Sequence, residues 1–344
     1  MKQQPVNISV IARRAGVSTA TVSRTLNGSP LVREKTAERV RKVIAGLGYV
    51  PNSGARSLSS GRSNLLGVII SDITNPFFPD LIRRLEHLAT DHSYDLIFAD
   101  TDYDPVRLEH CVQRMMERRV DGIALLASEM HQRVVDLLKR QSVPVVALQA
   151  QLQESRFRTI HVDYGSGIRE AVDHLRLGHS DLAFIAGPGN LWTANRRREL
   201  FLKELERNGL KVPRAWLLEG DHRADGGVHA MRKLLQQKRR PTAILCSNDL
   251  TALGALKAIQ EAGLQVPHDF SLLGFDDIDL VSLVHPRLST IRIPRSEIAT
   301  QAFFTLLAAT RDGLMAAPQT AIMTSLIVRD SSTPPRDSNS AKRR

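Results

Sequence analysis

From residue 65 onward, short apolar segments of the chain alternate with longer segments that carry apolar residues on one helical face. The predicted strands are Leu66–Ile70, Leu96–Ala99, Gly122–Leu126, Val143–Leu148, Leu182–Ala186, Ala243–Cys246 and Ser271–Phe275. The predicted helices between them include Phe78–His92, Val106–Arg118, Ile168–Leu177, Arg198–Asn208 and Leu250–Ala262. This alternation predicts parallel sheets with helices on both faces. About 265 residues are enough for two such domains.

Polar and aromatic side chains follow several of these strands, where open α/β sheets bind their ligands. Ser71–Phe78 combines two phenyl rings with amide and hydroxyl groups. Gly187–Arg198, Asn248–Asp249 and Asp276–Asp277 follow three further strands. Aromatic rings together with Asn, Asp and Arg side chains are typical of sites for small polyhydroxylated molecules. Two alternatives stay open: residues 248 and 249 cap the following helix, and the two phenylalanines belong to the core.

The first 27 residues carry the pattern of two short helices joined by a tight turn. Asn7 precedes apolar residues at helical spacing, which predicts a first helix with Asn7 as its N-cap. Gly16 suits the left-handed residue that ends such a helix, and Ser18 is the predicted N-cap of a second helix from Thr19 to Leu26. This is the unit whose second helix enters the major groove of DNA. The alternative is a surface helical hairpin of a globular protein.

Most of the positive charge of the chain lies in this head. The whole chain has a net charge of +11, and residues 1–63 alone have +9, with eleven Lys or Arg and two acids. Residues 329–344 contribute +3, so the large middle is close to neutral. A small basic head on a neutral body indicates that the head binds a polyanion and that the body has another task.

A third predicted helix runs from about Glu34 to Gly46 and is followed by a linker rich in Ser and Gly. The order of these features resembles the LacI/GalR family of bacterial transcription regulators. The resemblance rests on the helix-turn-helix, the third helix, Tyr49-Val50-Pro51-Asn52 and Ala55-Arg56-Ser57-Leu58, and it continues over about residues 5–330.

The resemblance implies an N-terminal all-α helix-turn-helix head and an α/β core, similar to periplasmic binding proteins, of two doubly wound parallel-sheet subdomains. The implied domains are a DNA-binding domain at 1–50, a hinge helix at 51–63 and an effector-binding and dimerisation core at 64–330. The implied subdomains of the core are 64–162 with 293–322, and 163–292 with 323–330. The tail at 331–344 is expected to be disordered and basic.

In that family, hinge helices from two subunits pair in the minor groove of the operator, and a leucine from each wedges between base pairs. By position, Leu58 matches that leucine, and Ala55 matches the small residue that faces the partner helix. An exposed leucine in a polar linker suits a wedge that unstacks and kinks DNA; the alternative is an ordinary linker residue that touches the body. Thr19, Ala20 and Arg24 match the family's main base-reading positions. The residues expected to contact DNA are Ser18, Thr19, Ala20, Thr21, Ser23, Arg24, Asn27, Ala55, Arg56 and Leu58.

The resemblance also implies an effector pocket between the subdomains, and a sugar or sugar acid is the expected effector. The residues expected to bind it are Asn75, Phe77, Phe78, Asp163, Thr193, Arg197, His222, Asn248 and Asp276. The expected partners are therefore a pseudo-palindromic double-stranded DNA operator, this effector and a second copy of the chain in a homodimer.

Other classes of protein fit the sequence less well. Cys111 and Cys246 are the only cysteines, too few for a zinc site or a disulfide framework, so neither a metal nor a cofactor is expected. No apolar run approaches the length of a membrane span, and no signal peptide is evident, which predicts a cytoplasmic protein. A secreted solute-binding protein would have no use for the head. An α/β enzyme that uses Asp276–Asp277 and His285 is the other alternative, but no base–nucleophile pair stands out. The sequence predicts a non-enzymatic, effector-controlled transcription repressor.

Overall fold

The structure is a computed structural model that describes residues 7–26, 28–49, 62–149, 157–312 and 321–332. The chain divides into two units, Met1–Asn64 and Leu65–Arg344. In its described part, the first unit has the helices α1 (Ile8–Ala15), α2 (Thr19–Leu26) and α3 (Glu34–Leu47). The two predicted helices of the helix-turn-helix are confirmed, and the third extends one residue further than expected.

Local hydrogen bonds fix the turn between α1 and α2. The side chain of Asn7 accepts a hydrogen bond from the backbone N–H of Val10 at 3.1 Å. Gly16 has a φ of 63°, and its N–H donates to the last carbonyls of α1. Ser18 Oγ accepts from the backbone N–H of Thr21 at 3.1 Å. The predicted caps are confirmed, and the left-handed glycine lets the chain turn without a steric penalty.

The inner faces of the three helices share one small apolar core. Ile11, Val22 and Val40 are fully buried, one from each helix. Burial of each such side chain contributes about 1.5–3 kcal/mol. Arg33, at the start of α3, makes no side-chain cap, so α3 depends on this packing for its position.

The second unit begins with a five-stranded parallel sheet. Its strands are β1 (Leu65–Ile70), β2 (Asp95–Asp100), β3 (Gly122–Leu126), β4 (Val145–Leu148) and β5 (Phe157–Ile160), in the order β2-β1-β3-β4-β5. The helices α4 (Phe77–Asp91), α5 (Pro105–Glu117) and α6 (Gln132–Lys139) connect them. The central strands β1 and β3 are almost wholly buried, as parallel strands covered on both faces are expected to be. A short strand, β6 (Val162–Asp163), follows.

A six-stranded sheet forms the second subdomain. The remaining strands are β7 (Leu182–Ala186), β8 (Leu217–Glu219), β9 (Ala243–Cys246), β10 (Ser271–Asp276), β11 (Ser289–Arg292), β12 (Ile322–Met323) and β13 (Ser325–Ile327). The sheet order is β13-β11-β10-β9-β7-β8, parallel except for β13. The remaining helices are α7 (Tyr164–Arg176), α8 (Trp192–Arg207), α9 (Ala224–Leu235), α10 (Asp249–Glu261) and α11 (Arg295–Asp312).

The chain crosses between the two subdomains three times. It leaves the first sheet through β6, returns after β11 into α11, and crosses again through β12 into β13. α11 packs on α4 and on β3 of the first sheet, while β6 and β12 pair in parallel between the two large sheets. Two parallel-sheet subdomains, which follow a helical head along the chain, confirm the predicted fold class.

Some elements differ from the sequence-based expectations. α7 begins at Tyr164 rather than Ile168, and α8 begins at Trp192 rather than Arg198. Glycines weakened the helix pattern of α7, but tight packing requires them, because a Cβ at Gly167 would lie 2.4 Å from Ile291 Cγ2. The strands β5, β8, β11 and β13 were not predicted, because each mixes polar and apolar residues instead of forming an apolar run.

Candidate functional site

The exposed face of α2 is the candidate surface of the head. Thr19, Ala20 and Arg24 are exposed, whereas Val22 on the opposite face is fully buried. Ala20 and Arg24 are four residues apart and therefore share one side of the helix. Ser23 is half-buried at the edge of this face. A helix held by one buried face and open along the other has the form of a recognition helix.

Two of the predicted DNA-contacting residues have a structural task as well. The hydroxyls of Ser18 and Thr21 lie 3.0 Å apart and hydrogen-bond to each other, and Ser18 also caps the helix. These two side chains fix the first turn of α2 and so orient Thr19 and Ala20 beside them. Asn27, Ala55, Arg56 and Leu58 lie outside the described residues.

The candidate site of the core is a cavity of about 40 Å³ at the carboxyl ends of strands from both sheets. Eight of the nine predicted effector residues line it: Asn75, Phe77, Phe78, Thr193, Arg197, His222, Asn248 and Asp276. The volume has room for very few water molecules. Both subdomains contribute to the lining, so a ligand bound here contacts both of them.

Asp163 does not line this cavity, although its neighbours Val162 and Tyr164 do. Its carboxylate accepts from the N–H of Gly165 at 2.9 Å and caps α7. An aspartate before a helix satisfies the free N–H groups of its first turn, and a contact of Asp163 with the effector stays a prediction.

Arg197 and Asp276 form the charged centre of the cavity. Both side chains are buried, and Arg197 Nη2 lies 3.6 Å from Asp276 Oδ1. The guanidinium carbon lies 4.0 Å from the ring centre of Phe275 and 4.7 Å from that of Tyr164. Nη1 donates to the carbonyl of Ser247, while Nε has no partner among the described residues. Arg197 is thus held rigidly with one donor unused.

The carboxylate of Asp276 is held in an unfavourable environment. Burial raises its pKa from 3.8 to about 6, and the attraction of Arg197 and a hydrogen bond from Asn75 offset only part of that effect. The Oδ1 atom of Asn75 accepts from the N–H of Phe77 at 3.1 Å. Above a pH of about 6, Asp276 is ionised although it is buried away from water. It therefore gains from any ligand hydroxyl that donates a hydrogen bond to it.

His222 closes the cavity from the second subdomain. Its ring rests on Gly187, where a Cβ would lie 1.9 Å from Nε2. Nε2 is buried and has no partner among the described residues. Burial lowers the pKa of His222 to about 3, and Arg197 adds to that effect. The imidazole is therefore neutral at physiological pH.

Tyr103 closes the cavity from the first subdomain, and the sequence reasoning missed it. Its ring centre lies 5.8 Å from that of His222, and burial raises the pKa of its hydroxyl, which stays protonated. Tyr103 follows β2, so the rule that found the other pocket residues would have found it too. Tyr164 and Ser128 were also missed.

Asn248 both caps the following helix and lines the cavity, so the two interpretations of this residue are compatible. Its Oδ1 caps α10 by accepting from the N–H of Thr251 at 2.9 Å, and its Nδ2 donates to the carbonyl of His222 at 2.7 Å. It lines the cavity mainly as a support for His222. Phe77 and Phe78 likewise belong to the core and line the cavity.

The two neighbouring aspartates at 276 and 277 point in different directions. Asp277 contacts Arg292 and Arg329, each at 2.6 Å, whereas Asp276 faces the cavity. The pair of carboxylates therefore does not form an acid/base dyad.

The arginines on either side of Arg197 do not belong to the cavity, because Arg196 and Arg198 are exposed.

Strained backbone is concentrated around the cavity. Asp102, Tyr103, His222, Asp276 and Asp277 have φ values of 56°, 57°, 64°, 111° and 57°. Non-glycine residues rarely adopt such conformations, and they persist where the surrounding structure enforces them. Strain at a cleft is common in sites that change conformation.

Arg223 connects the two subdomains across the cleft. Its Nε lies 3.3 Å from Asp72 Oδ2, and its Nη2 contacts the carboxylate of Asp102. Asp72 follows β1 and Asp102 follows β2, while Arg223 precedes α9. Ion-pair contacts therefore join the two subdomains in addition to the apolar contacts of the cavity.

Within the described ranges, no group of three or more His, Cys, Asp or Glu side chains is placed to hold a metal ion. The helices of those ranges include none long and apolar enough to cross a membrane.

Known proteins resemble both units of the chain. Residues 7–52 match the lacI family of bacterial regulatory proteins, and residues 172–332 match the periplasmic binding protein-like domain. The catabolite control protein A of Priestia megaterium is 35% identical over 300 residues, covering 86% of this chain and 90% of that protein. The ribose operon repressor of Escherichia coli (strain K12) is 35% identical over 299 residues, covering 86% and 91%. A crystal structure of the lac repressor dimer, bound to operator and the anti-inducer ONPF, has a TM-score of 0.85 at 28% identity and covers 96% of this chain and 100% of that one.

Proposed function

The chain belongs to the LacI family of bacterial regulatory proteins, and we propose that it is a transcription repressor whose operator affinity is set by a small molecule bound between its two core subdomains. The observation that carries the proposal is the presence of two distinct surfaces in one chain. One is the open polar face of α2, and the other is the buried polar cavity with strained walls. A regulator needs the first to bind DNA and the second to sense a ligand.

In the head, Arg24 donates to a guanine or a phosphate, and Ala20 contacts a thymine methyl group. Thr19 and Ser23 add contacts to phosphates or bases, and Ser18 and Thr21 hold the start of the helix. The charge of +9 in residues 1–63 supplies sequence-independent attraction. Asn27, Ala55 and Arg56 stay proposed DNA contacts, and Leu58 stays the proposed minor-groove wedge.

In the core, the effector is a sugar or a related polyhydroxylated molecule. Arg197 Nε and His222 Nε2 are buried and have no partner in the part of the chain that the structure describes, and Asp276 is a buried acceptor that gains from hydroxyl donors. The rings of Phe77 and Phe78 cover the apolar face of such a ligand. A sugar agrees with the name of the ribose operon repressor, one of the relatives.

Effector binding changes the relative position of the subdomains. A ligand in this cavity contacts both subdomains, so its affinity depends on their relative position. The contacts of Arg223 with Asp72 and Asp102 favour the present arrangement. A ligand shifts such an equilibrium only by its difference in affinity for the two states, typically about 1–3 kcal/mol.

The proposed assembly is a cytoplasmic homodimer that binds a pseudo-palindromic operator, because two-fold symmetry of the protein is mirrored in the half-sites. The proposed function involves no catalysis. A solute-binding protein or an α/β enzyme on the same core would leave the open face of α2 without a purpose.

The test is to select operator sequences for the full-length protein from a random DNA library and then to screen sugars, sugar acids, sugar phosphates and nucleobases by thermal shift. Each hit is titrated into the operator complex. Arg197→Ala should keep operator affinity and lose the response, while the control Arg198→Ala, which changes an exposed neighbour of the same charge, should keep both. A selected pool without a palindromic consensus, or an unchanged response of Arg197→Ala, would contradict the proposal.

A further inference from the structure

A second cavity adjoins the first. Its volume is about 230 Å³. Ala127, Ser128, Leu148 and Thr193 line both cavities. A molecule anchored at Arg197 and Asp276 can therefore extend past Thr193 into the second space without leaving the cleft.

Trp192 forms the outer wall of the second cavity. Its side chain is large and apolar, yet the residue is 41% exposed, whereas Trp216 is 2% exposed. The backbone beside it is well anchored, because Leu191 and Ala194 are buried. An indole held open at the start of a helix is a flat surface on which a ring can pack at little entropic cost.

The other wall supplies hydrogen-bonding groups. Met130, His131, Gln132 and Val135 lie opposite, in the loop before α6 and in its first turn. His131 Nδ1 is buried and has no partner among the described residues. A ring with both an apolar face and hydroxyl groups would pack on the indole and hydrogen-bond to polar side chains of this wall.

The second cavity also selects for charge. Among the described residues that line it, none is Asp, Glu, Lys or Arg. In the first cavity, the charge of Arg197 is already balanced by Asp276. A carboxylate or phosphate on the ligand would find no uncompensated cation in either space, and burial of an unpaired charge is costly.

We propose that the effector is a neutral two-ring glycoside: its first ring lies between Asn75, Arg197 and Asp276, and its second ring packs on Trp192 within reach of His131. This deepens the proposed function and rests on it. The second ring is a sugar, since the lining of the second cavity includes the polar residues His131, Gln132 and Ser128. An aromatic aglycone is the other source of the same shape.

The test compares matched ligands by calorimetry on the full-length protein. The panel pairs glucose, galactose and mannose with cellobiose, maltose, lactose and mannobiose, with the 4-nitrophenyl glycosides and with glucuronate and galacturonate. The best disaccharide should bind about fivefold to tenfold more tightly than its monosaccharide, as expected for one stacked ring. Trp192→Ala should reduce that ratio to within about twofold and leave monosaccharide affinity unchanged, whereas Trp192→Phe should keep most of it. Asp276→Asn should weaken both ligands.

Each other outcome overturns a defined part. Equal affinity for monosaccharide and disaccharide, or a ratio that Trp192→Ala does not change, refutes the second-ring site but leaves a sugar-sensing regulator. Preference for the nitrophenyl glycosides over every disaccharide replaces the second sugar by an aromatic group. Tighter binding of the sugar acids refutes the neutral ligand. Absence of binding by the whole panel, with operator binding intact, overturns both this inference and the sugar effector.

Discussion

Asp276→Asn should stabilise the core at neutral pH, although it removes a charged group from the centre of the site. Burial holds the pKa of Asp276 at about 6 in the folded protein, against an ordinary value of 3.8. The folded state therefore prefers the protonated carboxyl, and this contribution to stability is full below pH 3.8 and is lost as the pH rises through about 6. Asparagine resembles the protonated carboxyl and does not titrate.

The size of the effect follows from the difference in pKa. Two pKa units correspond to about 3 kcal/mol, so Asp276→Asn should raise the free energy of unfolding by about 2–3 kcal/mol at pH 8, by about 1 kcal/mol at pH 4.5 and by almost nothing at lower pH. The attraction of Arg197 is already included, because the pKa reflects the net effect of burial and Arg197. The wild-type protein is therefore less stable because it keeps a carboxylate in its ligand-binding site, a trade-off that is common at functional sites.

Urea unfolding followed by tryptophan fluorescence measures this directly. The chain has two tryptophans, Trp192 at the start of α8 and Trp216 just before β8, and both belong to the subdomain that contains Asp276. Asp279→Asn is the control, since the side chain of Asp279 is 88% exposed, and it should change stability little at any pH. A variant Asp276→Asn that is less stable than wild type at pH 8, or a difference that is the same at pH 8 and pH 4.5, would refute the reasoning.

Three further predictions concern the head, the hinge and the packing of the core. Arg24→Ala should weaken operator binding by about 1–3 kcal/mol if the side chain reads a base, and an unchanged gel-shift affinity would reject that role. Leu58→Ala should abolish the kink at the centre of the operator, and a circular-permutation assay with an unaltered bend angle would rule out the wedge. Gly254→Ala should destabilise the core by about 3 kcal/mol, because its Cβ would lie 1.9 Å from the carbonyl oxygen of Ala224. Gly46→Ala, where a Cβ meets nothing within 4 Å, should instead stabilise the head by up to about 1 kcal/mol. Thermal unfolding measures both glycine variants, and a shift of their two unfolding temperatures in the same direction would contradict the packing argument.

Local signals in the sequence were strong enough to predict the head. Asn7, Gly16 and Ser18 each impose a helix end through their own side chain or φ angle, so no distant contact had to be known. The buried strands of the two sheets were predictable for a similar reason, because strands covered on both faces are apolar along their whole length.

The features that could not be predicted from the sequence depend on the three-dimensional arrangement of the chain. Position 167 in α7 requires a glycine, because Ile291 and Thr324 leave no space for a side chain there. These two residues are more than a hundred positions away in the sequence. Asp163 was expected in the pocket because the family resemblance implies a pocket residue at that position, and only the geometry shows that its carboxylate caps α7. Tyr103 follows β2, where pocket residues are expected, but its contact with His222 depends on two successive left-handed residues in a loop, which no periodicity predicts.

The central claim is that the head binds DNA while the core decides how tightly. Its most direct test is the fluorescence anisotropy of a labelled, library-selected operator titrated with the intact chain and with the fragment Leu65–Arg344, each with and without the effector. We expect tight, effector-dependent binding by the intact chain, and normal effector binding but no specific operator binding by the fragment. Equal operator affinity of the fragment and the intact chain would contradict it, as would an intact chain whose operator affinity is the same with and without bound effector.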